Sequence, residues 1–119
     1  MRAYRIKNDS HGKSYFEKGT LPEGFDLNAE RFFLKTEIET YQKSRHPAPR
    51  YQYVVTLKGQ LEFTTSDGKS FIIEPGIILI AEDIQGEGHS WKILDGEEWH
   101  RIYIVPNPTA DDGFLIDKN

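Results

Sequence analysis

Glycines divide the second half of this chain into short segments of regular length. They stand at positions 59, 68, 76, 86, 88 and 96, and the segments between them are rich in Val, Ile, Leu, Tyr and Phe. Turn residues at this spacing are typical of antiparallel strands in a sandwich or barrel. No window carries an apolar stripe at helical spacing that is long enough to continue through these breakers. The pattern therefore predicts an all-β chain.

The segments between the turns predict six strands, at residues 51–57, 60–65, 69–73, 77–81, 89–94 and 98–105. Residues 31–39 alternate in polarity and predict another, half-buried strand. Its buried face is expected to carry Phe32, Leu34 and Ile38. Its outer face is expected to carry mostly Lys35, Glu37 and Glu39. Tyr4 and Ile6 indicate a short strand near the start, whereas residues 19–24 indicate a surface loop.

A chain of 119 residues has the size of one domain, in which about eight or more strands close around a single core. We expect the core of this domain at about 31–105, a strand-and-loop segment at 1–30 and a tail at 106–119. Pro106 and Pro108 end the last strand. The apolar triplet Phe114, Leu115 and Ile116 is expected to dock on the barrel or on a partner subunit.

The net charge of −4 is spread over mixed acidic and basic residues, so nucleic acid is not an expected partner. The chain has no cysteine, which excludes disulfides, thiolate metal sites and cysteine nucleophiles and fits the reducing cytoplasm. No segment approaches the roughly 20 apolar residues that cross a bilayer, and the polar start is unlike a signal peptide. We therefore expect a cytoplasmic protein without a membrane partner. Signatures of serine hydrolases, nucleotide-binding glycine loops and zincins are also missing.

Two segments carry a resemblance to a known superfamily. Residues 46–59, HPAPRYQYVVTLKG, resemble the first cupin motif, in which His-x-His, three or four residues, Glu, six residues and Gly follow in order. The matching positions hold His46, Ala48, Gln52 and Gly59. Residues 68–89 resemble the second motif, with the turn Glu74-Pro75-Gly76 and the ending Gly86-Glu87-Gly88-His89. The resemblance implies one double-stranded β-helix, or jelly-roll barrel, with a pocket inside.

The resemblance also implies candidate metal ligands. Cupins that bind a divalent metal usually supply three His and one Glu, and here Ala48 replaces one His while Gln52 replaces the Glu. His46, Gln52 and His89 remain as a tentative set for one divalent transition metal such as Fe, Mn, Ni or Zn. The loss of one imidazole and of the anionic ligand weakens such a site.

Strand alternation predicts which side chains enter the pocket. His46, Arg50 and Gln52 share one face of the first motif segment. On the predicted strand 89–94, His89 shares a face with Trp91, and on the strand 98–105, His100 shares a face with Ile102 and Ile104. The candidate ligand-binding residues are therefore His46, Arg50, Gln52, His89, Trp91 and His100. The reverse of the first face carries Tyr51, Tyr53, Val55 and Leu57. It is too apolar for water, so we expect a homodimer there, with cover by the N-terminal segment as the alternative.

The sequence leaves three functions open. We favour a protein that binds a small polar or anionic molecule, because two imidazoles and Arg50 attract carboxylates and hydroxyls. A metal-dependent dioxygenase, isomerase or lyase would use His46, Gln52 and His89. A metal-free sugar epimerase or isomerase would use a histidine base and a tyrosine acid such as Tyr103. Its base needs a carboxylate partner, for which Glu82 and Asp83 are candidates, although acids that cap backbone N–H groups in a turn are the favoured interpretation of both.

Overall fold

The computed structural model describes residues 1–38 and 44–118 of the chain. Within these residues it contains eight strands and no helix, and therefore no helix that is long and apolar enough to cross a membrane. The strands are β1 (Arg2–Asn8), β2 (Ser14–Thr20), β3 (Ala29–Lys35), β4 (Gln52–Thr65), β5 (Ser70–Ile73), β6 (Ile78–Ala81), β7 (His89–Pro106) and β8 (Leu115–Ile116). The predicted all-β class is confirmed for this part of the chain.

The strands form one mixed sheet that curls strongly into a half-barrel. Its order is β3-β7-β4-β6-β1-β2-β8, and β5 pairs with β4 beside this path. β1 runs parallel to β6, whereas the other described pairings are antiparallel. The curl gives the sheet a concave side, which holds the larger apolar core, and a convex side with a smaller one.

β4 and β7 are single long strands where the sequence predicted two strands each. Gly59, at φ +120°, and Gly96, at φ +76°, bend the strands but do not end them. The ladder between β4 and β7 shifts register between Thr56 and Leu61, beside the bend at Gly59. Glycine permits such a bend because it carries no Cβ, and the bulge increases the local twist. The predicted breaks at these two glycines were therefore wrong, although the strand residues around them were right.

β3 shows the reverse of its predicted orientation. Phe32 and Leu34 are 68% and 66% exposed, while Phe33 is half-buried and packs 5.2 Å from the ring of Tyr103. Ile38 does contact the core, as predicted, and Glu39 lies outside the described residues. Because three apolar residues stand side by side here, alternation alone does not decide which parity faces inward. The contact between Phe33 and Tyr103 decides it.

Both ends of the chain join the sheet. β1 contains Tyr4 and Ile6 as predicted, and it forms a hairpin with β2, a strand that the sequence did not predict. At the other end, β8 pairs with β2, and Phe114 is buried under the Arg5 guanidinium, 4.4 Å from its ring centre. The apolar triplet of the tail thus docks on its own chain.

Candidate functional site

The concave side of the half-barrel encloses a cavity of about 360 Å³. Its polar lining consists of Lys35, His46, Arg50, Gln52, His89 and Tyr103. Its apolar lining includes Phe33, Val54, Phe63, Leu79, Trp91 and Trp99. Of the six ligand-binding residues that the sequence predicted, the structure brings five to this cavity, namely His46, Arg50, Gln52, His89 and Trp91.

His100 does not line the cavity. Its side chain is about one third exposed, and its Nε2 lies 2.8 Å from Glu98 Oε2 on the outside of the sheet. The neighbouring residues Trp99 and Arg101 are buried instead, in phase with Trp91 on the same strand. Since β7 is one strand, the alternation that starts at His89 continues to Tyr103. The predicted inward orientation of His100, Ile102 and Ile104 was therefore wrong.

The two motif histidines are held together through their backbones. The N–H of His46 donates to the carbonyl of His89 and the N–H of His89 to that of His46, both at 2.9 Å, and their ring centres lie 5.4 Å apart. Gly88, at φ +74°, makes this approach possible, because a Cβ there would lie 2.0 Å from the His46 carbonyl carbon. The Gly-x-Gly-His motif thus seats the segment of His46 against the start of β7.

His89 is oriented by a buried carboxylate. Its Nδ1 donates a hydrogen bond of 2.6 Å to Asp83 Oδ2, and Asp83 is fully buried while His89 is 6% exposed. A carboxylate only accepts hydrogen bonds, so this contact places the proton of a neutral His89 ring on Nδ1 and leaves the Nε2 lone pair available. The favoured interpretation of Asp83 as a backbone cap in a turn was wrong, because its side chain binds His89.

Arg50 supplies a cationic group to the cavity. Its Nη1 donates to Gln52 Oε1 at 2.9 Å, and its guanidinium lies 5.6 Å from the ring centre of Phe33. No carboxylate oxygen of the described residues pairs with it. Because the Gln52 oxygen is engaged, the Gln52 amide offers its N–H groups to the cavity.

Sequence reasoning missed Arg101, which lies behind the cavity wall. It is 1% exposed, and its Nε donates to Tyr103 Oη at 3.0 Å. Its Nη1 donates to the carbonyls of Trp99 and Glu37, and the guanidinium lies 4.3 Å from the Trp99 ring centre. Tyr103 Oη thus accepts from a cation, and its own proton remains to be donated. The signal in the sequence was an arginine between two aromatic residues on the same strand face.

The tentative metal ligands do not fit a divalent cation. The Gln52 oxygen accepts from Arg50, whose positive charge would lie beside the metal. The nearby carboxylate, Asp83, is bound to the Nδ1 side of His89 and so stands behind the imidazole. In residues 1–38 and 44–118, no group of three His, Asp or Glu side chains is placed to hold a metal ion. A divalent transition metal needs more donors than two imidazoles and an occupied amide.

A second polar cluster lies at the convex side, where the tail meets the sheet. Arg5 binds Asp112 at 2.7 Å and Glu17 at 2.8 Å, and its Nε lies 4.0 Å from Glu82 Oε2. Burial and the neighbouring charge of Asp112 raise the pKa of Glu82 to about 7. Although burial opposes it, hydrogen bonds from the Phe114 N–H and Arg5 lower the pKa of Asp112. The Glu82 carboxyl therefore keeps its proton to a higher pH than an exposed glutamate does.

Comparison with known proteins adds no identity. No protein-family model matches the sequence, and no curated protein matches it.

Proposed function

We propose that this chain is a small cupin-type jelly-roll protein that binds a small anionic molecule in its cavity. The observation that carries the proposal is the charge of the lining. Lys35, Arg50 and two histidines line the cavity, while its described lining residues include no carboxylate, although the chain has a net charge of −4. The two motif segments and the curled all-β sheet support the cupin fold.

An anion would give the Arg50 guanidinium an ionic partner, which it lacks among the described residues. A half-buried guanidinium without an ionic partner is costly, and a carboxylate or phosphate accepts from it with short, charge-assisted bonds. The Gln52 amide and the Nε2 of a protonated His89 would donate to the same anion. Asp83 would stabilise the protonated ring from behind, through the bond of 2.6 Å.

The test is binding of small mono- and dicarboxylates and inorganic phosphate, compared with their neutral amides, by calorimetry and thermal stabilisation. We expect at least one anion to bind, and we expect Arg50→Gln to weaken it about tenfold or more, since hydrogen bonds to charged groups contribute about 1.5–3 kcal/mol. Arg45→Gln is the matched control, because Arg45 is exposed and lies 3.7 Å from Glu87, away from the cavity. Equal binding of the neutral amides would overturn the proposal.

A second candidate function is supported by the pairing of His89 with Asp83. A metal-free epimerase or isomerase needs a base that a carboxylate orients and an acid that returns the proton, and His89 Nε2 and the Tyr103 hydroxyl match these roles. The test is incorporation of solvent deuterium into candidate sugars and oxo acids, followed by NMR. Asp83→Asn is expected to slow the exchange about 10²-fold or more. If His89→Asn exchanges as fast as the wild type, the candidate fails.

Of the predicted dimer face, Tyr53 and Val55 pack with Leu21 and Leu27 of the same chain, so the alternative of cover by the N-terminal segment holds for them. We also propose that the chain forms a homodimer through the apolar residues that stay exposed on β3 and β4. They are Phe32, Leu34 and Leu57, each more than half accessible. Contiguous apolar surface of this kind marks a protein interface.

A further inference from the structure

The cavity wall beyond its charged residues is aromatic. Trp91 and Trp99 pack edge to face with their ring centres 4.9 Å apart, and Phe63 lies 5.9 Å from Trp99 and 6.4 Å from Trp91. All three are nearly fully buried, yet they line the open space beside Arg50 and His89. The lining thus combines a cationic part and an apolar, ring-bearing part.

The wall offers few acceptors for hydroxyl groups. No carboxylate is among the described lining residues, Gln52 Oε1 already accepts from Arg50, and Tyr103 Oη already accepts from Arg101. A ligand with many hydroxyls would leave several of them without partners in an apolar site, which is unfavourable. A flat apolar ring has no such requirement, and it packs well edge to face with tryptophan.

We propose that the anion bound here is an aromatic monocarboxylate, with its carboxylate at Arg50 and its ring against Trp91 and Trp99. This inference rests on the proposed anion-binding function and specifies its ligand class. A cavity of about 360 Å³ is at the small end of ligand sites, which suits one ring and not a nucleotide. The apolar wall contributes affinity by burying the ring, while Arg50 binds the carboxylate through charge-assisted hydrogen bonds.

The experiment compares four probes on the wild-type protein at pH 7, by calorimetry and by tryptophan fluorescence. They are phenylacetate, its neutral isostere phenylacetamide, acetate and the sugar acid glucuronate. We expect phenylacetate to bind and to change the fluorescence of the cavity tryptophans. Phenylacetamide, acetate and glucuronate should each bind at least tenfold more weakly. Benzoate and 3-phenylpropanoate extend the series in length, so that a poor fit of one chain length is recognised.

Two variants assign the two parts of the ligand. Arg50→Gln should weaken phenylacetate at least tenfold and leave phenylacetamide unchanged, whereas Trp91→Leu should weaken both probes to a similar degree. Arg45→Gln should bind phenylacetate as the wild type does. The probe comparison needs no variant, so it decides the inference even if Trp91→Leu does not fold.

The outcomes separate this inference from the function on which it rests. If acetate or glucuronate binds as tightly as phenylacetate, the aromatic class is wrong while anion binding stands. If phenylacetamide binds as tightly as phenylacetate, the cavity does not read charge, and both proposals fail. If the three aromatic acids do not bind but phosphate or a dicarboxylate does, the inference alone is overturned.

Discussion

Gly88 shows how one residue without a side chain builds the candidate site. It adopts φ +74°, and a Cβ at this position would overlap the backbone of His46 and Pro47. Gly96 adopts nearly the same φ, +76°, but a Cβ there would meet nothing within 4 Å. Both positions therefore need a residue that tolerates a positive φ. Of the two, only Gly88 also lacks room for a Cβ.

Substituting these glycines separates the two requirements. Gly96→Ala should lower the free energy of unfolding by about 1–2 kcal/mol, which is the cost of a left-handed alanine. Gly88→Ala should lower it by clearly more, about 4 kcal/mol or above, because the His46 segment has to move away. Urea denaturation of both variants measures the difference. Equal losses would mean that the backbone of His46 does not lie against Gly88.

The candidate site was partly predictable at this scale. The resemblance to the two cupin motifs named His46, Gln52 and His89 as candidates, and the structure places all three at the cavity. Asp83 was one of two candidate carboxylate partners for a histidine base, and the sequence did not decide between it and Glu82, because the contact depends on how a loop folds back and not on any period. Arg101 was missed because arginine is rarely buried, so composition and alternation give no reason to place it inside.

At the scale of the strand, local pattern predicted position better than orientation. Apolar alternation correctly assigned Gln52 and Val54 to the inner face of β4, which has one clear polar-apolar phase. In β3, polar and apolar residues do not alternate regularly. The prediction divided β7 in two at Gly96 and assigned the inward residues separately in each half, which misplaced His100. Orientation in these strands depends on contacts with neighbouring strands, such as Phe33 with Tyr103.

The junction between the tail and the sheet makes stability depend on pH. Glu82, directly after β6, has its pKa raised from 4.5 to about 7 by burial and by the charge of Asp112, against the opposing charges of Arg5 and Lys7. Between these two pH values the folded chain holds a proton that the unfolded chain has released. The free energy of unfolding therefore falls as pH rises from about 5 to about 7.

Glu82→Gln should remove this dependence, because the amide stays neutral at every pH. Relative to the wild type, we expect the variant to gain on the order of 1 kcal/mol of stability between pH 5 and pH 8. Urea unfolding at pH 5, 6, 7 and 8 measures the gain. Glu23→Gln, at an exposed loop position, is the control and should run parallel to the wild type. A constant difference between Glu82→Gln and the wild type would contradict the raised pKa of Glu82.

At the scale of the whole molecule, the sequence predicted the class and the approximate number of strands but not which strands pair with each other. The parallel pairing of β1 with β6 joins residues 3–6 to residues 78–81. β8 then adds residues 115–116 beside β2. Pairings over such separations leave no local signal, because each strand carries only its own alternation. They follow from burying the inner faces of all the strands around one core.

The exposed apolar residues on the convex face support an interface with a second copy of the chain. The register places Phe32 of β3 beside Ile104 of β7 and Leu34 beside Ile102, so the two exposed residues of β3 adjoin two half-buried apolar residues of β7. A two-fold dimer covers such a patch with its own copy, and each side of a stable interface buries about 800 Å².

Leu34→Glu should therefore convert the dimer to a monomer, because it places one carboxylate from each copy in the apolar centre of the interface. Light scattering coupled to size-exclusion chromatography measures the mass of 13.8 kDa for a monomer or twice that value for a dimer. Leu115→Glu is the matched control, since Leu115 is similarly exposed but lies on β8, at the other edge of the sheet. It should remain dimeric. A wild-type monomer at micromolar concentration would refute the dimer, and loss of the dimer in Leu115→Glu alone would move the interface to β8.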